Sequence, residues 1–177
     1  MNVFVKCATL VFLLSTVAWA QGQTSMLLGR ACGPNGTEFA AHTGSPQSAP
    51  SEPLKSKARI VLFMETYSSS SGCRYPIRVG MDGNWIGATC LRTYISADID
   101  PGNHHLCVDL QQKRSAKYTA LYSFAAEAGK VYYFRAQMID NPNFNLSDII
   151  PMHLDPINED EGLLLLSIRL PSESRVK

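Results

Sequence analysis

The chain has 177 residues, 45% of them hydrophobic and 18% charged, with 16 basic against 15 acidic side chains. That is enough chain for one domain with a real core, and too apolar for wholesale disorder. A formal charge of +1 excludes a strongly basic nucleic-acid binder and an acidic solvating tail.

Residues 1 to 20 read as a secretory signal peptide. Lys6 precedes the apolar run Ala8 to Leu14, and Ala18 and Ala20 supply the small-x-small cleavage pattern, so cleavage is expected between Ala20 and Gln21. The apolar stretch is too short to span a bilayer, which takes roughly 20 residues, and no Cys follows the small residues to carry a lipid. The expectation is therefore a periplasmic or secreted protein without stable membrane insertion. Cleavage removes one base and no acid, leaving 15 of each. It also leaves four cysteines, Cys32, Cys73, Cys90 and Cys107. An even count in an exported chain points to two disulfides. Zinc and free buried thiols are the competing readings, but no C-x-x-C and no paired His accompany these cysteines. Four cysteines allow three pairings, and the spacing does not choose. The working hypothesis joins Cys32 to Cys107 and Cys73 to Cys90.

Residues 21 to 57 read as an N-terminal segment, with a turn at Cys32 to Gly36, a short strand over Thr37 to Ala40, and a Pro/Ser-rich linker over 43 to 56. The folded domain is expected over 58 to 170. Arg59 to Glu65 is an apolar run long enough for a central strand, and Ser68 to Gly72 is a loop. Pro76 to Met81 and Asn84 to Ala88 flank Asp82-Gly83, a hairpin signal because Gly takes positive φ without strain. Thr93 to Ile99 alternates, with Tyr94, Ser96 and Asp98 on one face. After the Pro101-Gly102-Asn103 turn, His104 to Leu110 places His104, Leu106, Val108 and Leu110 together. Tyr118 to Ala126 and Val131 to Met138 flank Ala128-Gly129-Lys130. Asn141 to Pro151 is a loop, and His153 to Ile157 a short final strand. Asn158 caps a helix with acids in its first turn followed by Leu163 to Ile168, a strand over Leu163 to Arg169 being the alternative. Residues 171 to 177 are expected to be a flexible tail. The fold class is mainly all-β: an antiparallel sandwich of about seven strands with a short C-terminal helix.

Three stretches together, Val79 to Gly87, Pro101 to Cys107 and Ala128 to Phe134, carry a pattern V-x-x-DG-x-W-x-G, PG-x-H-x-L and AGK-x-Y-Y-F. It resembles the bacterial exported β-domains of unknown function related to the PEGA domain. The resemblance covers about Arg59 to Met138, and it implies a small β-sandwich of the bacterial envelope. It carries no established catalytic residues, so it assigns none here.

No catalytic, cofactor or metal residue is assigned from the residues themselves either. His104 and His105 are adjacent on a strand and point to opposite faces, so they cannot converge on one ion. His104 is expected beside a turn, hydrogen-bonded to backbone; a His104, His153 and Asp155 site has no spacing to support it. Asp155, Glu159, Asp160 and Glu161 lack calcium-loop spacing, and Asp98, Asp100 and Asp109 flank a hairpin. The run Ser68 to Ser71 lacks a nucleophile elbow. Trp85 and Tyr94, with Tyr132 and Tyr133 nearby, are the candidate ligand-stacking residues, weighed against core roles. The expected function is a non-enzymatic binding or structural module whose partner is an envelope protein or glycan and not a nucleic acid. The alternatives are a carbohydrate- or peptide-binding module built on Trp85 and nearby Tyr, and an envelope glycan hydrolase.

Overall fold

The computed structural model describes residues 31–46, 52–66, 72–111, 118–138 and 152–177. The expected signal peptide, the loops at Ser68 to Ser71 and Asn141 to Pro151, and the middle of the Pro/Ser stretch lie outside the described residues. Among these residues, ten strands and one helix follow in chain order: β1 (Phe39–Thr43), β2 (Ala58–Thr66), β3 (Gly72–Met81), β4 (Asn84–Leu91), β5 (Thr93–Ile99), β6 (Gly102–Leu110), β7 (Thr119–Ala126), β8 (Val131–Met138), β9 (Met152–Ile157), α1 (Glu159–Ile168) and β10 (Leu170–Val176). They form a six-stranded sheet, β1-β10-β5-β2-β8-β9, facing a four-stranded sheet, β4-β3-β6-β7.

Three expectations are corrected. The described residues form ten strands and not about seven, and one of them, β10, falls where no strand was expected. The six-stranded sheet is mixed and not purely antiparallel: β2 pairs in parallel with β8 from Arg59↔Val131 to Thr66↔Met138, and β10 meets β5 in parallel at its first two residues. The tail is no tail: β10 pairs antiparallel with β1 from Phe39↔Val176 to Thr43↔Ser172. The domain therefore takes in residues beyond the expected limits of 58 and 170 at both ends. The β1–β10 pair lies along β4, where Ala88 N–H donates to Ser174 Oγ at 2.9 Å and Ser172 Oγ donates to Ala88 O at 3.2 Å.

Period-two alternation builds the space between the sheets. Ile60, Leu62 and Met64 of β2, Ile77 and Val79 of β3, Leu106 and Val108 of β6, and Phe134 and Ala136 of β8 are all buried there. β2 is also buried on its other face. Val61 and Phe63 join Tyr94 and Tyr133 in a second cluster outside the six-stranded sheet, closed by Leu165 and Leu166 of α1. This two-sided burial is why β2 reads as an uninterrupted apolar run. Gly162 lets α1 settle on the sheet, since a Cβ there would strike the Tyr133 ring. The helix starts where expected, with Asn158 Oδ1 accepting from Glu161 N–H at 2.9 Å.

The chain crosses between sheets at the β4–β5 corner through Arg92, whose φ is 63°. Thr89 and Thr93 are fully or nearly buried at this corner, and they satisfy one another: their hydroxyls are 2.8 Å apart, and Thr93 Oγ1 accepts from Cys90 N–H at 3.1 Å. The β3–β4 hairpin turns on Asp82 and Gly83, with φ of 51° and 81°, the type I′ pattern.

Residues 31–38 run as a strap over the outer face of the four-stranded sheet. Cys32 is bonded to Cys107 of β6, and Cys73 of β3 to Cys90 of β4. The strap passes so close to β3 that a Cβ on Gly80 would sit 3.0 Å from Ala31 O and 3.1 Å from Cys32 Cα. Trp85 Nε1–H donates to Pro34 O at 2.8 Å, and Arg78 Nη1 donates to Thr37 O at 2.9 Å. Gln111 grips Phe39 at two points, accepting from its N–H at 2.7 Å and donating to its C=O at 3.0 Å.

Two outcomes test this packing. Replacing Cys32 and Cys107 together by Ser opens a link spanning 75 positions, and chemical denaturation should show a loss of about 4 kcal/mol. Gly162→Ala should lower the melting temperature and cost about 1–3 kcal/mol, because overpacking against Tyr133 outweighs the roughly 1 kcal/mol gained in helix propensity.

Candidate functional site: a cleft beside the C-terminal helix

α1 is fastened at both ends. Arg135 of β8 donates to Glu161 at 2.5 Å, and Arg169 holds Glu65 of β2 with two parallel bonds of 2.7 Å each. That bidentate pair raises the Arg169 pKa above its ordinary value, the hydrogen bonds it donates to Glu65 being the main cause. Four consecutive leucines cannot all face one way on a helix, where successive side chains step round by about 100°. Leu165 and Leu166 turn inward against Val61, Phe63, Tyr94 and Tyr133. Leu163, Leu164 and Ile168 turn outward and are 50%, 61% and 57% exposed.

Beside this apolar face the sheet, the helix and residues 52–53 enclose an open cleft of about 660 Å³. Its walls are Val61 and Arg59 of β2, Val131 and Tyr133 of β8, and Leu163 and Leu166 of α1; Glu52, Lys130 and Glu159 stand around it. The cations are held by neighbours. Arg59 reaches Asp98 with bonds of 2.7 and 3.0 Å, and Lys130 lies 2.8 Å from Glu127. The Arg59 hydrogen bonds hold the Asp98 carboxyl below its ordinary value, and the Glu127 hydrogen bond raises the Lys130 ammonium. Burial, and secondarily the charge of Glu159, pushes the Tyr133 phenol above its usual value of 10.0. The cleft thus offers apolar contact beside two cations held by acids, with the carboxylates of Glu52 and Glu159 also lining it.

The structure separates the proposed stacking residues. Tyr94 is 4% exposed, on β5 beneath α1. Trp85 is on β4 in the other sheet, half-buried under the strap, with the Arg78 guanidinium 4.5 Å from its ring centroid. One ring face is taken by the cation and the indole N–H by Pro34, so Trp85 and Tyr94 form no common platform. Trp85 is outside the core between the sheets as well. Tyr133 is buried beneath α1, whereas Tyr132 packs against the inter-sheet core and accepts from Glu127 N–H through its hydroxyl.

The acidic candidates disperse in the same way. Asp98, Asp100 and Asp109 pair with Arg59, Lys57 and Arg78 respectively. Among the described residues, no three His, Cys, Asp or Glu side chains cluster as a metal site. His104 is bonded at both ring nitrogens, 2.6 Å from Asp82 Oδ2 and 2.7 Å from Asp100 O, which ties the turns at 82–83 and 100–102 together. His153 is in the other sheet, on β9 opposite Gln137. His105 contacts Ser123 at 2.8 Å on the opposite face of β6 from Leu106. No described helix is long and apolar enough to cross a membrane.

Sequence reasoning missed Arg78, which binds Asp109, Thr37 and the Trp85 ring at once, and it missed the cleft. The signal for the cleft was present in Leu163 to Leu166, since a helix with that run must expose part of it. Comparison of the chain with protein-family models, with curated proteins and with solved structures finds no match.

The Asp98 interaction gives a pH test. Its carboxyl titrates below the ordinary 3.8 in the folded chain, so the unfolded chain binds that proton more readily. The contribution to stability is complete above the ordinary value and is lost as pH falls toward the lowered one. Asp98→Asn should flatten the acid limb of stability in that window and leave its slope unchanged above pH 5, read by denaturant titration at a series of pH values.

Proposed function

We propose that the protein is an exported, non-enzymatic binding module of the cell envelope, working in the periplasm or outside the cell. It holds an apolar part of a protein partner in the cleft and on the outward face of α1. The observation that carries this reading is the joint exposure of Leu163, Leu164 and Ile168 beside a cleft whose lining mixes Val61, Val131, Leu163 and Leu166 with charged residues. Contiguous exposed apolar surface rimmed by charge is characteristic of interaction sites. A protein partner is favoured over a glycan because sugar stacking needs open aromatic faces, and the tyrosine in the cleft is 8% exposed. A hydrolase is disfavoured because Asp98, Asp100 and Asp109 are each neutralised by a cation instead of being paired across a pocket.

Export is supported by the two disulfides, which persist in oxidising compartments, and by the signal-like N-terminus. Kinship with the PEGA-like β-domains belongs to the same proposal. Its support is that Asp82-Gly83, Pro101-Gly102 and Ala128-Gly129 all fall at strand junctions of a two-sheet fold.

The uncharged dye N-phenyl-1-naphthylamine provides the test. Its fluorescence should rise on binding the disulfide-intact protein. Leu163→Asp combined with Leu164→Asp should weaken that binding by about tenfold, as expected for removing the transfer energy of part of two side chains. Circular dichroism should show an unchanged fold. Unaltered dye binding in the double variant, or none in the parent, would refute the assignment of the site.

A further inference from the structure

The sheets differ in how their borders are finished. On one side the β1–β10 pair occupies the edge of β4 through Ser172 and Ser174. At the far border of the six-stranded sheet, β9 carries Asp155 and Pro156, residues that discourage further pairing. β7, at the far border of the four-stranded sheet, has neither device. Its sequence TALYSFAA contains no charge and no proline. Its ladder with β6 runs from Gly102↔Ala126 to Asp109↔Thr119 without a bulge. Among the described residues, no strand pairs with its other side.

The register identifies which backbone groups are offered. Leu110 N–H donates to Tyr118 O at 3.2 Å, so that pair is a hydrogen-bonded one, and such pairs alternate along an antiparallel ladder. Tyr122 and Phe124 therefore direct their amides and carbonyls toward β6. Thr119, Leu121, Ser123 and Ala125 direct theirs toward the border that no described strand pairs with.

We propose that this border is a pairing surface for a second copy of the chain, joined β7 to β7 in antiparallel register about Tyr122. That register sets Leu121 opposite Ser123 of the second copy and Thr119 opposite Ala125. All four outward residues then meet outward residues, and every outward amide and carbonyl finds a partner. Two-fold self-pairing of this kind closes on itself and makes one eight-stranded sheet across two molecules. The segment brings no like charges together, and a formal charge of +1 for the whole chain leaves little repulsion between copies. Eight residues of strand bury less than a standard interface, so the association is concentration-dependent.

Sedimentation velocity on the disulfide-intact protein over rising concentration reads the result. The parent should pass from monomer to dimer. Amide exchange at Leu121 and Ser123 should slow as it does so. Leu121→Pro removes one outward amide and no bond to β6, and Leu121→Lys places charge next to the symmetry axis. Each should raise the midpoint of dimerisation at least about tenfold. His153→Lys on β9 and the α1 double variant should leave it unchanged, which keeps this surface distinct from the cleft. If near-UV circular dichroism shows that the proline variant misfolds, the lysine variant decides. A parent that stays monomeric overturns the proposal, even if an added peptide protects Leu121. So does a dimer that survives both substitutions.

Discussion

β2 is the constraint from which the rest of the molecule follows. It lies between β5 and β8 and has apolar side chains on both faces, so neither face can be left to water. The inner face is met by the opposite sheet. The outer face needs a second cover, and the chain supplies it after β9 by laying α1 across Val61, Phe63, Tyr94 and Tyr133. Fully burying each such side chain is worth about 1.5–3 kcal/mol, whereas the helix itself has ten residues and would be marginal alone. The cover therefore stabilises the helix as much as the helix stabilises the sheet. The outward leucines and the cleft beside them are by-products of the same arrangement, because a run of four leucines over one patch of sheet has to show part of itself to solvent.

The outer face of the other sheet is solved by different chemistry. Residues Arg78, Gly80, Trp85, Cys107 and Asp109 meet there, and they are covalently and polarly linked where α1 is greasily packed. Asp109 is 5% exposed, a placement that costs several kcal/mol for a lone charge. Arg78 and the Thr119 hydroxyl supply its partners. Arg78 in turn is capped by the Trp85 ring and by a carbonyl of the strap. The guanidinium suits this position because its planar fork can serve a carboxylate, a carbonyl and an aromatic face together. Lysine has no such plane, so Arg78→Lys is not a conservative change here.

Much of this was legible in the residues, and the unreadable part has physical causes. Hairpins were legible because positive φ at Gly83 is a local demand, and so were the limits of β8 and the cap at Asn158. The core face of β6 followed from alternation alone. What alternation could not show was that Cys107 and Asp109, on the opposite face, are buried too, since their cover comes from the strap, far away in sequence. The parallel pairing of β2 with β8 was hidden for a similar reason: the chain makes five strands between them, and turn signals speak only to neighbours. Trp85 and Tyr94 looked like a pair because both are large and near in sequence, but Arg92 sends the chain from one sheet to the other between them. Residues 171 to 177 looked like a tail because Ser172, Ser174 and Arg175 are polar, and a strand with only one well-covered face keeps polar residues.

The two chain ends act as one structural unit. The strap covers the four-stranded sheet and leads into β1. The helix covers the six-stranded sheet and leads into β10. Five consecutive register pairs join β1 to β10, and that ribbon lies against β4, the border strand of the four-stranded sheet, and meets β5 within the six-stranded sheet. Loosening either end therefore unseats the other through the ribbon between them. Without the C-terminal end, Val61, Phe63 and Tyr94 lose their cover and β1 loses its only strand partner among the described residues. Without the N-terminal end, the Arg78–Asp109 pair opens to water and β10 keeps its two-residue pairing with β5 and the Ser172 and Ser174 bonds to Ala88. The Cys32–Cys107 bond fixes this unit covalently at one point on the sheet, and β1, β10 and α1 carry that anchorage round to the opposite face.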